Sequence, residues 1–312
     1  MIKAAVIGVG HLGYHHTRIL KSLPQVNLVG IVDTNPERAK EVGEEFSVPY
    51  FHDYKELLSK ADAFVIASPT TAHFEITTHL MEREKHILVE KPVTATLEEG
   101  EKLRVLAKDY PKVLTVGHIE RFNPALKALG KNLESPFYFI SERLGRFSNR
   151  ALDVDVVKDL MIHDLDIIFT LAGREIAEIR AVGIPVVTDK TDIANVVVEF
   201  KNGSVANLTA SRVSMEKVRK VRVFQRNSYF NLDYTIQEVF LTRVFQQDLK
   251  RIVIPVDKAE PLSLELTNFI KAVAGEEETE VKLDQALFAV EQADMISRMI
   301  NEQTHSLFHS KG

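Results

Sequence analysis

A chain of 312 residues, 45% hydrophobic and 27% charged, has the make-up expected of a soluble globular protein and is long enough for two domains. Lysine and arginine number 39 against 44 aspartate and glutamate, a net charge of −5 that argues against a nucleic-acid-binding face. The sequence has no cysteine, which excludes disulfides, thiolate metal ligands and a cysteine nucleophile.

Residues 1–120 alternate short β-branched runs with longer amphipathic stretches, the pattern of βαβ units on a parallel sheet. Strands are expected at 2–7, 28–32, 63–67, 86–89 and 113–116, and helices at 14–22, 36–46, 54–59, 73–84 and 97–110. Gly8, Val9, Gly10, His11, Leu12 and Gly13 stand between the first strand and the first helix. In such a Gly-x-Gly-x-x-Gly run one glycine makes a tight turn, one admits a pyrophosphate and one allows close helix–strand packing. The helix start adds unpaired amides and the positive end of its dipole. Asp33 closes the second run, twenty residues after Gly13. A carboxylate at that distance meets the adenosine ribose hydroxyls of NAD and repels the extra phosphate of NADP. Strand, glycines, helix, strand and acid in that order predict a dinucleotide-binding domain with NAD as the cofactor.

Two further segments follow predicted strands, at the carboxyl ends where open α/β sheets bind ligands. One is Ala67-Ser68-Pro69-Thr70 and the other is Glu90-Lys91-Pro92. Ser68, Pro69, His73, Glu90 and Lys91 therefore join the glycine-loop residues and Asp33 as candidate cofactor contacts. A lysine there can also donate to a substrate hydroxyl and stabilise the developing alkoxide. Its X-Pro bond is the one type that can be cis at low cost. His11 and His15 have ligand spacing but no third candidate nearby, so they read as helix-face histidines and no metal is expected.

The run Gly117-His118-Ile119-Glu120-Arg121-Phe122-Asn123-Pro124 follows the last parallel strand. His118, Arg121 and Asn123 in it are candidates for binding a polar or phosphorylated ligand. Beyond it the pattern changes to a helix at 124–133 and strands at 137–144, 176–183, 193–200, 204–210, 220–225 and 228–233. Asn202-Gly203 marks a hairpin. Helices are expected at 152–171, 262–274 and 283–302. Residues 121–312 thus read as a second, α+β domain on a mostly antiparallel open sheet, for substrate binding and oligomerisation. On the 152–171 helix, Asp159 and His163 share one face, with Asp166 three residues on. A carboxylate one turn from an imidazole can orient it as a general base, at a pKa suited to an alcohol proton. Arg212, after a hairpin strand, is a further substrate-binding candidate. No apolar run approaches the roughly 18 residues of a membrane span. The start of the chain also lacks a signal-peptide layout, so no membrane partner and a cytoplasmic location are expected.

Together these pieces resemble the glucose–fructose oxidoreductase/inositol dehydrogenase (Gfo/Idh/MocA) family over essentially the whole chain. Residues 8–13 with Asp33 are similar to its NAD fingerprint, Glu90-Lys91-Pro92 to its Glu-Lys-Pro signature, and Asp159, His163 and Asp166 to its catalytic helix. The resemblance implies an α/β fold with Lys91 and His163 at the substrate carbon and Asp159 orienting the base. Met161 departs from the pattern, standing where a glycine is common. Residues 117–124 look like the branch that oxidises C3 of UDP-N-acetylated hexosamines, which implies a UDP-sugar substrate and a homodimer or homotetramer. Another sugar or inositol dehydrogenase is a competing reading. A UDP-sugar uronate enzyme is a second, wanting a cation from Arg121, Arg143, Arg146 or Arg212. A non-catalytic NAD-binding regulator is disfavoured by the presence of both Lys91 and His163.

Overall fold

The computed structural model describes residues 1–148, 154–246 and 248–309. The chain forms two compact units, Met1–Phe122 with Glu260–Leu287, and Asn123–Ala259 with Phe288–Gly312. The first unit is thus discontinuous, whereas the sequence reads as a single boundary near residue 120.

The first unit is built on six parallel strands: β1 (Ile2–Ile7), β2 (Val26–Val32), β3 (Tyr50–Phe51), β4 (Ala63–Ile66), β5 (His86–Glu90) and β6 (Leu114–Gly117). Their order is β3-β2-β1-β4-β5-β6. The order reverses beside β1, the switch point at which such sheets take ligands. All four residues of β4 are buried, as a parallel sheet covered on both faces requires. The crossovers carry helices α1 (His11–Ser22), α2 (Pro36–Phe46), α3 (His73–Met81) and α4 (Leu97–Ala107). Asn35 starts α2 by accepting the Glu37 and Arg38 amides, with Pro36 in the first turn, where no donor is needed. Thr96 and Glu99 close a reciprocal capping box on α4. Residues 54–59, expected as an α-helix, form only a single 3₁₀ turn, Tyr54–Leu57, started by Asp53. Strand β3 was not expected, because two residues are too few to show a period.

The second unit holds an eight-stranded sheet of order β14-β13-β12-β11-β7-β10-β9-β8. Its strands are β7 (Tyr138–Leu144), β8 (Ile176–Ile184), β9 (Ile193–Phe200), β10 (Val205–Ser211), β11 (Val218–Gln225), β12 (Ser228–Asp233), β13 (Glu238–Phe245) and β14 (Asp248–Ile254). Every pairing is antiparallel except β7 with β10. Strand β9 alternates buried and half-buried residues, the period of a sheet with one face on a core. The Asn202-Gly203 hairpin is present, but only Gly203 takes a positive φ, +87°; Asn202 instead accepts the Ser204 amide and hydroxyl. Strands β13 and β14 were not anticipated. Six of the seven residues of β14 are exposed, and Asp248, Lys250 and Arg251 interrupt its apolar pattern. Helix α5 (Pro124–Gly130) and helix α6 (Ile162–Ala172) complete this part of the chain, and a π-helical turn, Val157–Met161, leads into α6. The expected 152–171 helix begins among residues outside those described. Helix α7 (Pro261–Val273) returns to the first unit, where Leu262, Leu266, Phe269 and Ile270 pack with Ile19 and Leu20 of α1. The last helix is α8 (Leu283–His309).

Candidate active site

In the first unit β1 ends at Ile7 and the chain turns through Gly8 at a φ of +85°, which a side chain would strain. A Cβ on Gly8 would lie 2.7 Å from the backbone of Ala67 and Ser68, so the glycine loop rests on the loop after β4. A Cβ on Gly13 would fall 1.8 Å from the Gly8 carbonyl oxygen. Packing of the chain on itself demands both glycines. Gly10 is different, because a Cβ there meets nothing within 4 Å. It stands at the start of α1, where no side chain caps the helix amides, and His11 and Leu12 beside it are exposed. Open space before bare helix amides suits a pyrophosphate, so these residues fit NAD.

Asp33 ties the end of β2 to this loop. Its Oδ2 accepts the Val9 amide and its Oδ1 the Asn35 amide, both at 2.9 Å. Arg38, the cation near enough to attract a ribose phosphate, is tied to the same loop. Its Nε donates to the Val9 carbonyl at 2.8 Å, a second nitrogen donates to Glu41 at 2.7 Å, and the guanidinium covers the Tyr14 ring.

The loops after β4 and β5 are stapled together by His73. It is buried, with Nδ1 2.9 Å from the Pro92 carbonyl oxygen and Nε2 2.9 Å from that of Ser68. His73 therefore supports the loops from below, while Ser68 is half-buried and Pro69 exposed. Glu90 also points inward. Its Oε1 lies 2.8 Å from Nε2 of buried His16, its Oε2 accepts the Lys91 amide at 3.2 Å, and a Cβ on Gly117 would come within 3.0 Å of it. Burial works to raise the Glu90 pKa, but the His16 bond and charge, with the Lys91 charge and amide, outweigh it and hold the carboxyl below its usual range. Lys91 follows on the half-buried surface, and its bond to Pro92 is cis. After β6 a 3₁₀ turn, Ile119–Phe122, buries Glu120 and Arg121; Arg121 donates to Gln285 at 3.3 Å, and His118 just before it is buried.

In the second unit Asn123 caps α5 through the Ala125 amide and donates to the Tyr234 carbonyl at 3.1 Å. Asp155 accepts the Val157 and Lys158 amides and the Ser297 hydroxyl, and so opens the π turn that carries Asp159. Helix α6 then begins at Ile162, with His163 in its first turn. The stretch that carries Asp159 is thus a π turn and not regular α-helix, and such turns recur at functional sites. Both side chains are half-buried. Asp164, on the same helix, is gripped by Arg143 at 2.7 and 3.2 Å and by the Ser141 hydroxyl, which anchors α6 to β7. Asp166 is buried, and Met161 lies wholly in the core. Arg212 donates to the Val154 and Thr191 carbonyls and lies 3.4 Å from Asp192, so its guanidinium organises backbone. Burial of Asp192 favours its neutral form, but the Thr188, Val187 and Val186 amides and the Thr188 hydroxyl prevail and bring its pKa down to about 2.

Among the described residues no group of three or more His, Asp or Glu is arranged to hold a metal; the rings of His11 and His15 meet edge-on at 5.3 Å. No described helix is long and apolar enough to cross a membrane.

Comparison with known proteins follows the same division. A family model described as an oxidoreductase family with an NAD-binding Rossmann fold matches residues 2–118, and the GFO/IDH/MocA C-terminal domain matches 132–227. The UDP-N-acetylglucosamine 3-dehydrogenase of Acidithiobacillus ferrooxidans is 38% identical over 280 residues, 88% of this chain and 89% of that one. The chain belongs to the Gfo/Idh/MocA family. The solved structure of that relative matches with a TM-score of 0.90 at 34% identity, over 96% of this chain and 98% of that one. The scyllo-inositol 2-dehydrogenase (NAD(+)) of Bacillus subtilis is 29% identical over 68% of each chain. The first unit of this Gfo/Idh/MocA protein is thus an NAD-binding Rossmann domain.

Sequence reasoning missed His16, Asp155 and Glu265. His16 and Glu265 each occupy an apolar-face position, His16 three and four residues before Ile19 and Leu20, and Glu265 between Leu262 and Leu266. A lone polar residue at a core position of an amphipathic helix was the available signal.

Proposed function

We propose that this protein oxidises the C3 hydroxyl of UDP-N-acetylglucosamine to the ketone, with NAD as the oxidant. The observation that carries the reading is the near full-length match to a UDP-N-acetylglucosamine 3-dehydrogenase. Bound at Gly8, Gly10, Gly13 and Asp33, NAD would supply the hydride acceptor. The protein contributes orientation and charge. His163 takes the proton of the reacting hydroxyl, oriented by Asp159. Lys91 donates to the same oxygen and stabilises the alkoxide charge that grows as the proton leaves, before the C3 hydride passes to the nicotinamide. The place of Lys91 at the end of β5, next to the strand whose loop touches Gly8, supports this role.

His118 and Arg121 serve the substrate side. Asn123 and Arg212, through their bonds to backbone, shape the segments that carry it. A cytoplasmic homo-oligomer is part of this reading. Exposed Val244, Phe245, Leu249, Ile252 and Val253 on β13 and β14 favour self-association. The test is a substrate panel of UDP-sugars, free hexoses and inositols with NAD, followed at the NADH absorbance band. Turnover with UDP-N-acetylglucosamine is expected. Turnover with hexoses alone, or with inositols alone as the name of the Bacillus relative would have it, would overturn the assignment.

A further inference from the structure

Three buried titratable side chains of the first unit come from elements that share one core, in which Leu88 of β5, Ile19 and Leu20 of α1 and Leu266 of α7 pack together. His16 comes from α1, Glu90 from the end of β5 and Glu265 from α7; they are 0%, 7% and 2% exposed. Glu90 is bonded to His16 on one oxygen and to the Lys91 amide on the other. Neither oxygen of Glu265 has a hydrogen-bond partner, and neither does Nδ1 of His16. A carboxylate buried without a partner is too costly to remain charged, and two carboxyls sharing one site retain a proton between them.

Other charged groups on the surrounding elements do not alter this balance. Helix α1 also carries His15 and Arg18, the latter paired with Glu260, and the 3₁₀ turn packed on α7 carries Glu120 and Arg121. Burial first and the Glu90 charge second push the Glu265 pKa well above its usual range.

We propose that Glu265 is the proton-bearing neighbour of the buried His16–Glu90 pair and acts as a positioning residue for Lys91. One of the two carboxyls, not both, is then ionised, and Glu90 stays fixed between His16 and the Lys91 amide. The proposal rests on the reading of Lys91 as the group that holds the substrate oxygen.

Infrared spectroscopy of the full-length protein tests the proton directly and needs no substrate. The wild type at pH 7 shows the carbonyl band of a protonated carboxylic acid, and Glu265→Gln removes it. In Glu90→Gln the band titrates away at lower pH, because one of the two forces holding the proton is gone. No band in the wild type, or a band that survives Glu265→Gln, overturns the proposal.

Thermal unfolding gives an independent check. Unfolded Glu265 ionises near the ordinary carboxylate value while folded Glu265 stays neutral, so this group stabilises the fold fully only below that value. The contribution is lost as pH rises through the folded pKa. Glu265→Gln lacks that loss, so its Tm relative to the wild type should climb by about 2 °C or more between pH 5 and pH 8. A constant difference overturns the proposal.

For the positioning role, Glu265→Ala should lower kcat about 10-fold with KM within about 2-fold, and Glu265→Gln should recover most of that loss. Equal losses in both variants overturn the role. A wild type that shows the band but oxidises no UDP-sugar overturns the substrate reading and leaves the buried acid established.

Discussion

In the first unit the polar groups assigned to NAD and to the substrate oxygen hang from the ends of neighbouring parallel strands, whereas in the second Asp159 and His163 ride on one helix. The strand ends are fixed by backbone. Gly8 and Gly13 are packed against other main chain, His73 joins two loops through their carbonyls, and Glu90 is seated against Gly117. The helix is fixed by side chains: Asp155 opens its π turn, Arg143 grips Asp164, and Arg212 and Asp192 order the loops around residues 154 and 186–192. A site built on backbone constraints writes itself into glycine and proline positions. One built on side-chain pairs leaves only ordinary charged residues in the sequence.

The largest effects should come from the one residue in each unit that is assigned to the reacting hydroxyl. Lys91→Ala and His163→Ala should each reduce kcat by about 10² to 10⁴-fold, up to about 5 kcal/mol of barrier, with NAD affinity retained. Steady-state kinetics and NAD titration check this together. Near-wild-type turnover in either variant would remove that unit from the chemistry and break the symmetry between them.

Next in size is the buried pair that holds α6. Arg143→Met leaves the Asp164 carboxylate buried without its guanidinium, which costs about 3 kcal/mol or more of stability. Urea unfolding measures it. If the midpoint does not move, the second unit is not held by its side-chain pairs in the way argued above.

What could be read from the sequence follows the same division. The glycine loop, Asp33 and Glu90-Lys91-Pro92 were legible because few residue types satisfy a tight turn or a close backbone approach. Helix 262–274 was legible as a helix, but its return to the first unit was not, since periodicity shows which face is apolar and not what covers it. The π turn at Val157–Met161 was hidden for a related reason. Asp159 and His163 keep helical spacing in the sequence while the backbone takes one extra residue per turn. Arg212 and Asn123, candidates for the ligand, also donate to backbone carbonyls, bonds that a sequence does not display.

Asp192 gives an intermediate effect with a definite sign in pH. Its carboxylate collects three amides and a hydroxyl, and its pKa falls to about 2 from an unfolded value of about 3.9. A lowered folded pKa stabilises the fold above the unfolded value, and that stability is lost as pH falls through the folded one. Asp192→Asn should therefore cost about 2 kcal/mol at pH 7, and the gap to the wild type should begin to close below about pH 4. Urea midpoints at the two pH values decide it; a gap that stays the same at pH 3 would show that packing, not charge, makes Asp192 important.

The smallest effect sharpens the comparison furthest, because it sets one helix cap in each unit against the other. Thr96 accepts the Glu99 amide at 3.2 Å, and Glu99 returns bonds to the Ala95 and Thr96 amides. Thr96→Ala should cost about 1 kcal/mol and leave kcat as it was, since α4 carries none of the proposed catalytic groups. Asp155 performs the same capping chemistry, but on the turn that carries Asp159 and leads into His163, and it also holds Ser297 of α8. Asp155→Ala should lose a similar or somewhat larger stability and, unlike Thr96→Ala, lower kcat as well, by about 10-fold. Equal kinetic behaviour in the two variants would mean that the π turn keeps its geometry without Asp155. The turn would then be held by other contacts, the grip of Arg143 on Asp164 among them.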